Sequence, residues 1–234
     1  MNPISEIHLC DCVDYMRTMP DKFFDLAVVD PPYGIGKDWK KSRKSKFYHH
    51  QSTYNNSSTP GKEYFAELFR VSKNQIIWGA NYYTEFLPAR NSWIVWDKQI
   101  NYPTQHLSEG ELAWTSFNIP VRIVSLIWNG CCRCEKRAGF HPHEKPKSLY
   151  KWLFDNYFVG GGRILDTHLG SGSSRIVAYQ MGFDFYGCEI DKDYYDAQQK
   201  RFEEECLHTF TDPVSGRITQ ELNLFDNEED NVQR

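Results

Sequence analysis

The chain has 234 residues, room for one α/β domain with insertions or at most two small domains, and 40% hydrophobic with 15% aromatic residues is enough to bury a sizeable core. A net charge of −4 excludes a protein that holds nucleic acid through overall positive charge, so any such contact must come from a local patch. The absence of an apolar N-terminal segment and of any apolar run near 18 residues predicts neither signal peptide nor membrane span, and seven cysteines, an odd number, predict free thiols in a reducing, cytoplasmic setting.

In chain order, Ile4 to Leu9 reads as a short strand ending at Cys10-Asp11-Cys12, followed by a helix that Pro20 stops after Met19. Phe24 to Val29 is an apolar run too short for a helix, as expected of a strand buried on both faces of a parallel sheet. It ends in Asp30-Pro31-Pro32-Tyr33-Gly34. Residues 34–60 are polar and aperiodic, which predicts a loop; Lys37, Lys40, Lys41, Arg43, Lys44 and Lys46 crowd ten positions of it. Thr59-Pro60 predicts a helix through Val71, with Thr59 as its cap. Gln75 to Trp78 and Trp93 to Trp96 read as strands, and Leu112 to Phe117 and Ile123 to Trp128 are candidates. Cys131 to Gly139 reads as a basic loop with Arg133, Lys136 and Arg137. Its Cys131, Cys132 and Cys134 lack a second pair at zinc spacing, so no metal is expected.

From Pro146 the pattern sharpens. Leu149, Trp152, Leu153 and Tyr157 recur at helical spacing, Gly160-Gly161-Gly162 is a turn, and Arg163 to Asp166 a strand. Gly170-Ser171-Gly172 precedes a helix that Gly182 ends; Phe183 to Cys188 is a strand ending in Glu189, and Tyr194 to about Leu207 a helix. This alternation predicts an open, mostly parallel α/β sheet. Asn223 to Arg234 is polar and acidic and is expected to fray.

Two patterns carry chemistry. Glycines between a strand and a helix let a ligand approach the backbone, and an acidic residue ending the next strand, Glu189, suits two ribose hydroxyls. The rival dinucleotide turn, G-x-G-x-x-G, is incomplete, since Gly170-x-Gly172 is followed by Arg175. Asp30-Pro31-Pro32-Tyr33 lies past a strand's carboxyl end, where such sheets bind ligands. Two prolines stiffen the backbone and free carbonyls of local N–H competition, so Asp30 and the Pro31 carbonyl can aim at one group with two N–H donors. Tyr33 adds a flat face.

Asp-Pro-Pro-Tyr ahead of the Asp166 to Gly172 turn, with His141-Pro142-His143-Glu144-Lys145-Pro146 just before that turn, resembles the prokaryotic DNA amino-methyltransferases of the β class. The likeness runs from Ile7 to about Arg201 and includes Gly187-Cys188-Glu189-Ile190-Asp191, Tyr194, Ala197 and Arg201. It implies a Rossmann-like methyltransferase sheet that is circularly permuted. The cofactor half needs a strand beside the one ending at Glu189, and only a polar tail follows Leu207, so Ile4 to Leu9 must supply it. One catalytic domain over 1–222, with small insertions for DNA recognition near 34–60 and 99–140, is the implied organisation.

The resemblance implies S-adenosyl-L-methionine as cofactor, double-stranded DNA as partner and N6 of a flipped adenine as target. Cytosine N4, RNA adenine, protein glutamine, or a non-catalytic DNA-binding relative are the alternatives. Cytosine C5 chemistry would need a Pro-Cys pair, which the chain lacks. Asp30, Pro31, Pro32 and Tyr33 are the implied catalytic set. Asp11, Cys12, Asp30, Lys145, Asp166, His168, Gly170, Ser171, Gly172 and Glu189 are the implied cofactor contacts, and the Lys37 to Lys46 cluster the phosphate contact. A bacterial or phage restriction–modification setting follows by the same likeness, as monomer or homodimer. Asp166-Thr167-His168 departs from the family's usual Asp-Pro-Phe, and His143 replaces Thr; both histidines stay open between titrating and packed roles.

Overall fold

The computed structural model describes residues 2–35, 58–100, 108–129, 132–133, 144–211 and 218–221. Their main element is an eight-stranded sheet in the order β1-β10-β9-β2-β3-β5-β4-β6. In chain order the strands are β1 (Ser5–Leu9), β2 (Phe24–Val29), β3 (Ser72–Trp78), β4 (Trp93–Asp97), β5 (Gly110–Thr115), β6 (Arg122–Ser125), the short β7 (Trp128–Asn129) and β8 (Cys132–Arg133), β9 (Arg163–Asp166) and β10 (Asp184–Glu189). The helices are α1 (Cys12–Thr18), α2 (Lys62–Val71), α3 (Lys147–Tyr157), α4 (Ser173–Gln180) and α5 (Lys192–Cys206). β1, β10, β9, β2 and β3 run parallel, whereas β5 pairs antiparallel with both β3 and β4. The N-terminal strand lies against β10, as the permuted order requires, with Ser5 opposite Phe185 and Leu9 opposite Glu189.

The central strands are buried on both faces because neighbouring residues of a strand point opposite ways. Leu26 and Val28 of β2 join one core with Ile76 and Trp78, covered by Leu149 and Leu153 of α3 and Val177 and Ala178 of α4. Ala27 and Val29 face the other core with Ile77, covered by Tyr15 and Met16 of α1 and Phe65 and Leu68 of α2. That two-sided burial explains the unbroken apolar run of β2. α5 packs on α4 through Phe202 and Cys206 against Ile176 and Tyr179.

Two expectations need correction. α2 is capped by Gly61, in extended backbone and without a side-chain cap bond, rather than by Thr59; the helix begins two residues past Pro60. The chain after α5 is not only a polar tail, since β11 (His208–Thr211) and β12 (Ile218–Glu221) pair as an antiparallel hairpin apart from the main sheet. Residues 110–115 and 122–125, within the stretch expected to serve recognition, are strands of the main sheet. The fraying expected of 223–234 lies outside the described residues. Among the described residues no helix is long and apolar enough to cross a membrane.

Candidate active site

Five parallel strands bring their carboxyl ends to one edge. Asp11 follows β1, Asp30 follows β2, Gly79 follows β3, Asp166 ends β9 and Glu189 ends β10. Open α/β sheets bind ligands in this place.

At the β2 end, Asp30 is held from two sides. The Tyr33 hydroxyl donates to Oδ1 at 2.6 Å and the Lys145 ammonium donates to Oδ2. Lys145 also lies 3.1 Å from Glu111 Oε2, and Glu111 Oε1 accepts from Lys98 at 2.6 Å. Two lysines thus face two carboxylates, with Lys145 3% exposed and the other three partly exposed. Burial alone would lower the Lys145 pKa, but Asp30 and Glu111 outweigh it and push it up. Burial would raise Glu111, yet Lys145 and Lys98 hold it well below the usual carboxylate range. Burial and the neighbouring Asp30 carboxylate keep the Tyr33 phenol protonated, so it acts as a donor.

Tyr33 is fixed as a plane. Its ring stacks on Tyr82 with centroids 5.0 Å apart and planes 12° apart. The backbone of Gly79 lies against the ring: a Cβ there would fall 2.1 Å from Tyr33 Cε1. The Tyr83 hydroxyl lies 2.7 Å from the Pro31 carbonyl and 2.8 Å from that of Pro32, tying down the two-proline segment. A carbonyl oxygen has two lone pairs, so Pro31 keeps acceptor capacity beside Asp30.

The second half of the site is the turn after β9. Gly170 and Gly172 sit at φ +51° and +73°, backbone that favours glycine, and a Cβ on Gly172 would meet Gln198 Cβ at 3.1 Å. Gly172 caps α4 without a side-chain bond, leaving N–H groups of the first turn to a ligand. Glu189 Oε2 accepts from Gly170 N at 2.8 Å, and Oε1 accepts from the Ile190 and Asp191 N–H groups, both at 3.0 Å. Its carboxylate is therefore aimed before any ligand arrives. Asp11 spends Oδ1 on the α1 N-cap, accepting from Val13 N at 2.8 Å and Asp14 N at 3.2 Å. Burial pushes the Cys12 thiol up to about 12, so it stays protonated.

Asp166 is buried between the halves. Ser174 Oγ donates to Oδ2 at 2.6 Å and His168 N to Oδ1 at 3.1 Å. Burial wins over these bonds and raises its pKa to about 7. His168 is pushed down to about 4 by burial and is neutral near pH 7. Its Nδ1 lies 2.9 Å from Thr167 Oγ1, which meets the Tyr64 hydroxyl at 2.7 Å. The His168 ring is thus tied to the Thr167–Tyr64 pair.

Asp166 binds its proton more tightly folded than unfolded, where the pKa is about 3.9. Its protonation stabilises the fold fully below that value, and the stabilisation is lost as pH rises toward about 7. His168 gives the opposite trend below its unfolded pKa of about 6.5, so only a comparison isolates Asp166. Urea unfolding at pH 5 and pH 8 should show the parent losing stability relative to Asp166→Asn as pH rises. An unchanged difference would remove Asp166 from the balance.

The structure brings Asp30, Tyr33 and Lys145 together, and Asp166, His168, Gly170, Ser171, Gly172 and Glu189 together. It places Lys145 on the Asp30 carboxylate. The Lys37 to Lys46 cluster, Lys136, Arg137 and His143 lie outside the described residues. Sequence reading missed Glu111, Lys98, Tyr82, Tyr83 and Tyr64. Glu111 and Lys98 had one available signal, opposite charges inside or beside otherwise apolar strand segments. Among the described residues no group of three or more His, Cys, Asp or Glu is placed to hold a metal.

A family model described as a DNA methylase matches residues 82–200. The Type II methyltransferase M.HpaI of Haemophilus parainfluenzae is 22% identical over 272 residues, covering 92% of this chain and 84% of its own. The crystal structure of the M1.HpyAVI–SAM complex matches with a TM-score of 0.54 at 18% identity, covering 84% of this chain and 98% of that one. The PvuII DNA methyltransferase, cytosine-N4-specific, matches at 0.56 and 12% identity, covering 86% and 87%. At these identities the structural likenesses speak for the fold alone.

Proposed function

The chain belongs to the DNA methylase family, and from that premise we propose that it methylates the exocyclic amine of a base flipped from double-stranded DNA, with adenine N6 as target and S-adenosyl-L-methionine as methyl donor. The observation that carries this is the Asp30 carboxylate, fixed by Tyr33 and Lys145, followed in the chain by a Pro31 carbonyl that Tyr83 fixes. An amine with two N–H donors is the group that satisfies both acceptors. Asp at the head of this motif favours adenine by family resemblance. M.HpaI and its kind are Type II methyltransferases, which supports DNA as the substrate.

The residues present fit the cofactor. The oriented Glu189 carboxylate suits a ribose diol, keeping an open lone pair on Oε2 after its bond from Gly170 N. Asp11 Oδ2 and the Cys12 N–H lie at the β1 end for an adenine edge, and the α4 N-terminus, which no side chain caps, suits the carboxylate of the amino-acid end. When bound, the cofactor supplies an electrophilic methyl group.

The amine's lone pair is delocalised into the base ring, so it attacks poorly. Hydrogen bonds from its two N–H groups to Asp30 and the Pro31 carbonyl draw the nitrogen toward tetrahedral geometry and free the lone pair to accept the methyl, and the N–H proton that the new bond displaces leaves along the hydrogen bond to Asp30. Tyr33 and Lys145 hold Asp30 in place, so the chemistry is positioning and electrostatics, without a covalent enzyme intermediate. Tyr33 offers the aromatic plane for the flipped base. Incubation with methyl-labelled cofactor tests the reading: duplex DNA should acquire label while RNA and protein do not. Label confined to RNA or protein would overturn it.

Residues 37–46 are the proposed phosphate contact, because six cations follow the catalytic segment in a chain of net charge −4. Each contacted phosphate changes the salt slope of duplex binding by ~0.9. Changing Lys40, Lys41 and Lys44 together to Ala should flatten it by about 2 to 3 with cofactor affinity unchanged. An unaltered slope would make the cluster solvated surface and move the search to Arg133, Lys136 and Arg137.

A further inference from the structure

Glu144 and Lys145 are chain neighbours that reach different halves of the site. Pro146 disfavours helical backbone at Lys145, so α3 starts only at Lys147 and the two residues ahead of Pro146 are irregular rather than helical. Irregular backbone there frees the two side chains from the fixed facing that a helix or strand would impose. Lys145 goes to Asp30 and Glu111, with its ammonium 5.4 Å from the centre of the Trp78 ring. Glu144 goes to α5, where its Oε1 lies 3.5 Å from Arg201 Nη1. The same Nη1 donates to the Ser171 carbonyl at 3.0 Å and to Ser173 Oγ at 2.9 Å. Arg201 is steadied further by Glu205, which accepts from its Nε at 2.8 Å and from Lys147 at 2.9 Å.

We propose that the Glu144-Lys145 dipeptide is a clamp that sets the distance between the amine-accepting carboxylate and the cofactor turn. Lys145 is the positioning residue for Asp30; Glu144, through Arg201, is the positioning residue for Ser171. Consecutive Cα atoms are about 3.8 Å apart, so the two anchors cannot drift independently. Arg201 and Glu144 are 1% and 4% exposed and Lys145 3%, so these ion pairs are shielded from solvent. Glu111, held from behind by Lys98, shares the Lys145 ammonium, so Asp30 is oriented without being its sole counter-charge. In-line transfer demands such registration, because misplacing reacting groups by ~1 Å costs about 100-fold in rate.

The inference rests on the methyl-transfer reading, and its test separates the two. On the full chain, cofactor affinity is measured by calorimetry and the single-turnover rate at saturating cofactor and DNA. Lys145→Met should lower the rate about 100-fold while cofactor affinity stays within about threefold. Lys145→Arg, which keeps the charge, should recover part of the rate. Glu144→Gln should do the reverse, weakening cofactor binding about tenfold with a smaller effect on the saturated rate. Should Lys145→Met fail to fold, Lys145→Arg reads the same split at smaller amplitude. Equal losses of rate and affinity in both variants would overturn the clamp, as would an unchanged cofactor affinity in Glu144→Gln. A parent protein that binds cofactor yet methylates no DNA would overturn the functional reading instead, and the Glu144 arm would still be decided by affinity.

Discussion

Asp30→Asn should lower methyl transfer by roughly 10²–10³-fold while cofactor affinity changes little. The substitution keeps the shape of the side chain and removes its charge. One of its two atoms becomes a donor, facing either the Tyr33 hydroxyl or the Lys145 ammonium, both donors themselves. The amide must present its oxygen to one of them and loses the second acceptor that the amine needs. Lys145 retains Glu111, so the buried ammonium is not stranded, and Asn is a cleaner probe than Ala. Cofactor affinity should survive because Glu189 and the Gly170 to Gly172 turn are anchored by their own backbone bonds. Near-normal turnover by Asp30→Asn, measured by label incorporated into DNA, would disprove the proposed chemistry.

Gly79→Ala should damage both stability and turnover. Gly79 sits at φ +65°, where an L-residue is strained, and the added Cβ would fall 2.1 Å from Tyr33 Cε1. Strain and overpacking together should cost about 2–5 kcal/mol, read from the urea unfolding midpoint. The collision is with the ring whose hydroxyl holds Asp30, so transfer should fall as well, by about 100-fold if the ring shifts by ~1 Å. Gly182→Ala is the control. It too is at positive φ, +79°, but its Cβ meets nothing within 4 Å, so it carries strain without touching the site. Turnover lost equally in both variants would mean that general destabilisation, not Tyr33, is the cause.

The legibility of this protein followed the reach of its signals. β2 was readable because burial on both faces leaves an unbroken apolar run, and the turn after β9 because its backbone angles demand glycine. The placement of β1 beside β10 is implied by chain order, since the cofactor half lacks a strand that only the N-terminal segment supplies. What stayed hidden depends on pairing across long stretches of chain. Glu111 faces the site only because β5 enters antiparallel between β3 and β4, a register with no local signature. Tyr83 reads in sequence as one aromatic among many, and its bond to the proline carbonyls appears only when the end of β3 lies beside that of β2. The motif implies Lys145 as a cofactor contact, and its bond to Asp30 is a pairing that chain order does not reveal. The Thr59 cap failed for a simpler reason: the helix begins after Gly61, which caps it from ordinary extended backbone without a side-chain bond.

The proposed chemistry names one atom, and nucleoside analysis tests it most directly. Duplex DNA is incubated with the purified protein and S-adenosyl-L-methionine, digested, and its nucleosides resolved by mass spectrometry. The account predicts N6-methyldeoxyadenosine, lost when Asp30→Asn replaces the parent protein. N4-methyldeoxycytidine as the product, or no methylated nucleoside at all, would contradict it.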